Sequence, residues 1–514
     1  MLRAFVSGLA LLTFGCGAAP PPPARAPHSD TNPPPAVETP VAPPAATDAA
    51  WGAPPASCGE PVAKAPAKLQ TCTRETSERL LANALRKDGA ARDAELWALE
   101  SCSLFPTGVV RALRAERAAP ECRDALVGDY TPPASTRSDV KDALLGLTIA
   151  ARLRRLVRSP PVLPPPHDRA RVDAFVKGTL AKWIQGQAAA VFELSNQGAA
   201  LSGYGKGIVA VEAGMADMRF VEVARSAPLP DDIRGDDELT EAYYATLDQA
   251  LEPRKARGRD AALVGLRLLS DVGVLHDERV ARARKMLSTL YAGRRIDALD
   301  ALLLPGPVEP EGAQPWDEAL AEVLPTFYVS LLVPDADVTR PGMMRSLLHR
   351  GLPAFVRLRL DAAKPEADTR RLYARHLFEM GRTYWRAEDF AHAGQVAAGL
   401  SGAEPELLVA LADVLKHGPK DAAAMMLQGP HLPAELTQVA PLDGLGKRSP
   451  SLAGFAAFAA GVLLETAPPA NAPRKYWQDV AARYASAEKK LPPELRGRAT
   501  ERRTAAEATA QAVK

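Results

Sequence analysis

The chain has 514 residues, 47% of them hydrophobic, 24% charged and 5% aromatic, which is long enough for several packed units and apolar enough to bury a core. Its 63 Lys+Arg stand against 61 Asp+Glu, a formal net charge of +2. The strong basic excess of a nucleic-acid binder is missing, so no nucleic-acid partner is expected. Runs of Val, Ile and Thr alternating at period two are scarce, which leaves helix as the expected fabric of the body.

The N-terminus reads MLRAFVSGLALLTFGC, with one positive charge, Arg3, ahead of the apolar stretch Ala4–Phe14. That stretch of about 11 residues is well short of the ~20 that span a bilayer, so residues 1–15 read as an export signal rather than an anchor. Gly15 followed by Cys16 resembles the lipobox of bacterial lipoproteins, with Thr13 where Leu is usual and Phe14 bulky for its position. The resemblance implies that the Cys16 sulfur carries a diacylglyceryl group and that Cys16 becomes the first mature residue. Each buried methylene adds about 0.8 kcal/mol of membrane affinity, so several acyl chains on one cysteine make release negligible. Gly17, not Asp, comes next. By resemblance to enterobacterial sorting, this points to the outer membrane of the cell envelope.

Residues 16–67 run through AAPPPPARAP, TNPPPAVETPVAPPAA and GAPPAS. Proline fixes φ and removes backbone donors, so a disordered stalk rich in polyproline II is expected here. Behind an anchored cysteine it would act as a spacer.

Four cysteines remain after Cys16: Cys58, Cys72, Cys102 and Cys122, with none in the rest of the chain. An even number without Cys-x-x-Cys or Cys/His spacing suits two disulfides in an oxidising compartment rather than a zinc site. Helices at about 74–87 and 92–101 packed antiparallel bring Cys72 and Cys102 to one end of a hairpin and leave Cys58 for Cys122. Sequential pairing, Cys58 with Cys72 and Cys102 with Cys122, is the alternative.

Beyond the stalk the expected class is all-α, with helical hairpins stacked as an irregular α-solenoid. It divides into a cysteine-bearing unit (68–128), a middle helical domain (129–305) and a C-terminal helical domain (306–514). The middle domain is expected to hold helices over 172–201, 236–251, 260–272, 278–291 and 296–304. Between them, Ser202–Gly207 (SGYGKG) reads as a turn, because it lacks the Gly-x-x-x-x-Gly-Lys-Ser/Thr spacing of a phosphate loop. The run EPRKARGRD reads as a solvated connector. The apolar stretch LAGFAAFAAGVLL at Leu452–Leu464 is too short to cross a membrane and reads as a buried helix. A charged, alanine-rich helix near 496–513 closes the chain.

In the C-terminal domain Leu377, Met380, Gly381 and Tyr384 precede Ala393 and Pro405. This segment resembles one tetratricopeptide repeat, with its small-residue contact, packing aromatic, second-helix alanine and terminal proline. Ala397 and Leu400 depart from the pattern. The resemblance implies stacked helical hairpins that present a surface to other proteins.

On the same helix Arg371, Arg375, Arg382 and Arg386 fall within about 60° of one another, at about 100° per residue, with Trp385 beside them. They form a candidate stripe for carboxylates or phosphates on a partner; a solvated face with Glu379 pairing to Arg375 is the plainer alternative. None of the eight histidines stands at metal-ligand spacing with another, and no Gly-x-Ser-x-Gly elbow occurs. No catalytic set, metal or cofactor is therefore expected. The sequence points to a non-catalytic envelope lipoprotein serving as a protein-interaction scaffold for other envelope proteins. The alternative is an exported enzyme or small-ligand binder acting on cell-wall or imported material.

Overall fold

The computed structural model describes residues 51–58, 72–291, 295–306, 324–333, 343–344, 347, 351–352, 354–363, 365–427 and 434–513. Among them there is no strand: helices joined by short turns pack on one another in chain order, the all-α stack of hairpins that the sequence predicts. The export signal, Cys16 and most of the stalk lie outside the described residues.

Residues 51–58, at the far end of the predicted stalk, are docked on the body. Trp51 is buried in the apolar cluster that includes Ile149 and Leu153. The Arg155 guanidinium donates to the Trp51 carbonyl at 3.1 Å and to Asp124 at 2.6 and 2.8 Å. Apolar area and a clamped carbonyl thus hold a segment whose prolines suggested only spacer.

The first unit comprises α1 (Arg74–Leu85), α2 (Gly89–Leu99), α3 (Val109–Arg117) and α4 (Arg123–Val127). Helix α1 starts where the Thr73 hydroxyl accepts from the Thr76 N–H, satisfying one of the orphan donors of a helix start. Cys72 pairs with Cys102 and Cys58 with Cys122, at Cα separations of 5.6 and 5.4 Å. Sequential pairing is excluded.

Next come α5 (Ser138–Arg155), α6 (Arg169–Ala174), a π-helical turn (Phe175–Leu180), α7 (Ala181–Ala199) and α8 (Gly203–Arg225). They are followed by α9 (Asp231–Arg234), α10 (Asp237–Val272) and α11 (Glu278–Leu290). Two expectations fail in this stretch. Ser202–Gly207 is not a turn between helices, because Gly203 onward is the first turn of α8. The run EPRKARGRD is not a connector either: α10 continues through Pro253 without a break.

Both errors have one cause, the centrality of α8. A Cβ on Gly205 would lie 2.2 Å from the Asp142 carbonyl of α5. One on Gly214 would lie 2.6 Å from the Gly258 carbonyl of α10, and one on Gly265 2.6 Å from Val211. Glycines that look like breakers are the seams along which three helices meet backbone to backbone. Across the α8–α10 seam Asp217 accepts from Arg254 at 2.9 Å and from Arg257 at 2.6 and 2.7 Å, so the supposed connector is held by a carboxylate on α8.

The last part holds α12 (Thr326–Leu332), α13 (Ala354–Ala363), α14 (Ala367–Tyr384), α15 (Ala387–Ala397) and α16 (Ala403–Leu415). It continues with α17 (Ala422–Leu427), α18 (Ala440–Arg448), α19 (Ala453–Thr466), α20 (Arg474–Lys490) and α21 (Pro493–Ala512). Helix α19, the apolar stretch of the sequence, is buried through Phe455, Phe458 and Leu463, and no described helix is long and apolar enough to cross a membrane. Between α14 and α15 the Phe390 ring fills the space a Cβ on Gly381 would need, 2.9 Å away. Pro405 lies in the first turn of α16 rather than ending α15, which stops at Ala397.

A buried polar knot joins α3, α8 and the start of α11. The Tyr204 hydroxyl donates to Glu116 at 2.9 Å and accepts from Arg279 at 2.8 Å, while Arg279 also pairs with Glu116 at 2.9 Å and Asp277 at 2.7 Å. Burial by itself would raise the Asp277 carboxyl, but the charge and hydrogen bonds of Arg279 outweigh it and hold it at about 2.

Candidate interaction groove

Helices α7 and α10 flank α8 and leave a trough above it. The floor comes from Val209, Ala210 and Ala213 of α8, and the walls from Phe192 and Ala199 of α7 and from Ala261 and Val264 of α10. This lobe encloses about 640 Å³. A second lobe of about 370 Å³ shares Asp260 and Val264 with it and continues along α10 to Ser270 and Asp271, closed on the far side by Arg386, Lys420 and Leu427. Pro253 to Asp271 covers about 27 Å of α10 at a helical rise of ~1.5 Å per residue.

Alanines dominate the floor because α8 must pack closely on both sides, and small side chains there leave space above them. Three of the large apolar side chains most exposed to water, Phe192 (44%), Val264 (48%) and Leu427 (55%), line this one trough. Exposed apolar groups gathered in a concave strip mark an interaction site more than scattered ones do.

The charges follow a pattern. Asp217 is taken by Arg254 and Arg257, Asp260 by Arg259, and Glu388 and Asp271 by Arg386. Asp421 accepts from the Ala424 N–H at the start of α17. Lys206, Arg267 and Lys420 also line the trough, and no ion pair or side-chain hydrogen bond holds them among the described residues. Each lining carboxylate thus has a partner within the fold, with Arg386 shared between Glu388 and Asp271, and three cations have none among the described residues.

Each arginine of the predicted stripe has a carboxylate partner within the fold. Arg371 pairs with Asp368 at 2.8 Å, Arg375 with Glu379 at 3.2 Å and with Glu404, and Arg382 with Glu379. Arg386 is bound by Glu388, by Asp389 at 3.0 Å and by the Ser270 hydroxyl at 2.8 Å. Trp385 is buried in the left-handed region, φ 56°, with its ring N–H donating to the Ile296 carbonyl at 2.7 Å. Asp368 and Glu379 of α14 itself and Glu388, Asp389 and Glu404 of α15 and α16 together neutralise the row. Only Arg386 reaches the trough.

A polar pocket of about 410 Å³ lies between α13, α14 and α15, lined by Asp361, Arg370, Tyr373, His392 and Gln395. Asp361 accepts from the Tyr373 hydroxyl at 2.7 Å and meets His392 Nε2 at 3.1 Å. Such a set can move a proton, and among the described residues no Ser, Thr, Cys or Lys lines the pocket. Burial raises the Glu212 and Glu404 carboxyls against the pull of Arg154 and Arg375 respectively, yet neither group faces this pocket or the trough.

Comparison with protein families, curated proteins and solved structures finds no match to the chain.

The sequence reading missed Phe192 and Val264, although a signal for them was present. Val191, Leu194 and Gly198 mark the buried arc of α7, and Phe192 stands off it. In α10, Ala262, Leu266 and Leu269 mark the buried arc, and Val264 points about 200° away from Ala262.

Proposed function

We propose that the chain is an exported lipoprotein, anchored through Cys16 to the cell envelope, and that its helical body is a non-catalytic scaffold. In this reading the body holds another envelope protein in the trough along α10. The observation that carries it is that trough: two adjoining lobes along α10, apolar along the floor, and lined by three of the most exposed large apolar side chains of the described residues. The length of the trough, about 27 Å along α10, suits a polypeptide more than a single small substrate. The tetratricopeptide resemblance around Gly381 and Tyr384 belongs to the same reading, since stacked hairpins present extended surfaces to partners. The alternative, an enzyme or small-ligand binder, has its support in the Asp361–His392 pocket.

The test joins anchor and groove in one strain. Wild-type chain and Cys16→Ser are labelled with a clickable fatty acid, and a photo-crosslinking amino acid is placed in turn at Phe192, Val264 and Leu427. Label lost in Cys16→Ser, with one envelope protein crosslinked from the trough positions and not from exposed Leu104, is the expected result. Absence of both label and trough-specific crosslinks would overturn the proposal.

A further inference from the structure

Building on the scaffold reading, we infer that the occupant of the trough is an amphipathic α-helix of a partner protein, apolar on the face that enters and acidic along its flanks. Backbone hydrogen bonding decides between a helix and an extended strand. A peptide that adds to a fold as a strand needs a sheet edge with unpaired N–H and C=O groups, and the described residues contain no strand. The trough walls are helices whose main-chain groups are satisfied within themselves, and the Ser195 hydroxyl of α7 is already donated to the Val191 carbonyl at 2.6 Å. An extended segment would bury peptide groups with no partner, whereas a helix brings its own hydrogen bonds with it.

The dimensions agree. Helices pack at interaxial distances of about 8–10 Å, nearer the lower value where one surface is small side chains. Ala199, Ala210, Ala213 and Ala261 make up much of the first lobe's apolar lining. Along about 27 Å of α10, a docked helix of about 18 residues would have both lobes to fill.

The sign of the partner's charge follows from the unpaired cations. Lys206 stands at the first lobe, and Arg267 and Lys420 at the second. Carboxylates flanking the apolar stripe of the incoming helix would meet them, while lysines in those places would meet like charge. Rim charges of this kind act on specificity and association rate more than on raw affinity.

The probe is a displayed library of 18-residue helices with a fixed leucine stripe and flanks varied among Glu, Gln and Lys, selected on the full chain and counter-selected on Val264→Glu. Val264 is half exposed, so the variant should fold as the parent does, and thermal unfolding of both checks this. We expect clones whose binding falls about tenfold or more in Val264→Glu, with Glu enriched over Lys at the flanks. The enrichment should disappear on a Lys206→Glu, Arg267→Glu, Lys420→Glu chain. Proline placed at the centre of a selected clone should abolish its binding.

Flanks enriched in Lys or neutral residues, or no clone sensitive to Val264→Glu, would overturn the inference, as would equal binding of the proline-broken clone. So would sedimentation showing that the chain pairs with itself through the trough, with the pairing lost in Val264→Glu. Trough-specific crosslinks to an envelope protein together with a failed library would leave the scaffold standing and the acidic helix refuted. An acidic enrichment without any such crosslink would do the reverse.

Discussion

Arg257 of α10 grips both oxygens of Asp217 of α8, with Nε 2.7 Å from one and Nη2 2.6 Å from the other. Arg254 shares the same carboxylate at 2.9 Å. The contact spans the seam beneath the trough and keeps a 36-residue helix in line through Pro253.

Asp217 is buried and Arg254 nearly so. Removing the carboxylate strands a desolvated guanidinium, so Asp217→Ala should lose about 3–5 kcal/mol of stability. Urea unfolding followed by circular dichroism measures this. A loss no larger than that of an exposed surface pair would mean that the seam is held by its glycines alone.

His376 is fully buried, and neither ring nitrogen has a partner. Burial, with smaller pushes from Arg357 and His276, lowers it to about 3, against about 6.5 in an unfolded chain. Below about pH 6.5 the unfolded chain binds a proton that the native one does not. The stability from this site is thus fully present above that pH and falls by about 1.4 kcal/mol per unit as pH drops towards 3. Relative to the parent, His376→Leu should gain about 2 kcal/mol between pH 6.5 and pH 5. Equal slopes of unfolding free energy against pH in the two proteins would contradict this.

Two glycines on neighbouring helices should respond to alanine with opposite signs. A Cβ on Gly214 meets the Gly258 carbonyl at 2.6 Å and the Ala262 nitrogen at 2.7 Å, whereas Gly186 of α7 has open space. Gly214→Ala should cost about 1–3 kcal/mol through overpacking against backbone. Gly186→Ala should stabilise by up to about 1 kcal/mol through helix propensity. Melting temperatures of the two variants, measured side by side, decide the matter.

In the buried knot, the Tyr204 hydroxyl makes two hydrogen bonds and the Tyr328 hydroxyl makes none. Tyr204→Phe leaves Glu116 and Arg279 each short of a partner and should cost about 1–3 kcal/mol. Tyr328→Phe removes a buried hydroxyl that nothing satisfies and should be neutral or slightly stabilising. Chemical denaturation of the pair should therefore give effects of different size, and a larger loss at Tyr328 would show that its hydroxyl has a bound partner.

Non-reducing peptide mapping should recover Cys58 linked to Cys122 and Cys72 linked to Cys102. Breaking the first bond by Cys58→Ala opens a loop of 64 residues and should cost about 2–5 kcal/mol. Intrinsic fluorescence would report whether Trp51 then leaves its site. No change in either readout would mean that Arg155 and the apolar contacts alone hold this segment.

The helical class was legible along the chain because it depends on local features. Apolar residues recur at helical spacing, prolines punctuate, and α19 is apolar on all sides because it is buried on all sides. The number and clustering of the cysteines announced two disulfides, and the hairpin geometry of α1 and α2 favoured the pairing that formed. Three other features were decided only by tertiary structure. The glycines of Ser202–Gly207 and Gly258 look like breakers, because the cost of glycine in a helix is local while its benefit, backbone contact between α5, α8 and α10, appears only on packing. The pairing of Arg375 with Glu379 was visible in helical spacing, but the further partners of Arg375 and Arg386 were not, because Glu404, Glu388 and Asp389 belong to other helices. The trough along α10 is a space between helices, and periodicity along a single helix can show that Phe192 and Val264 stand off the core without showing that they face the same gap.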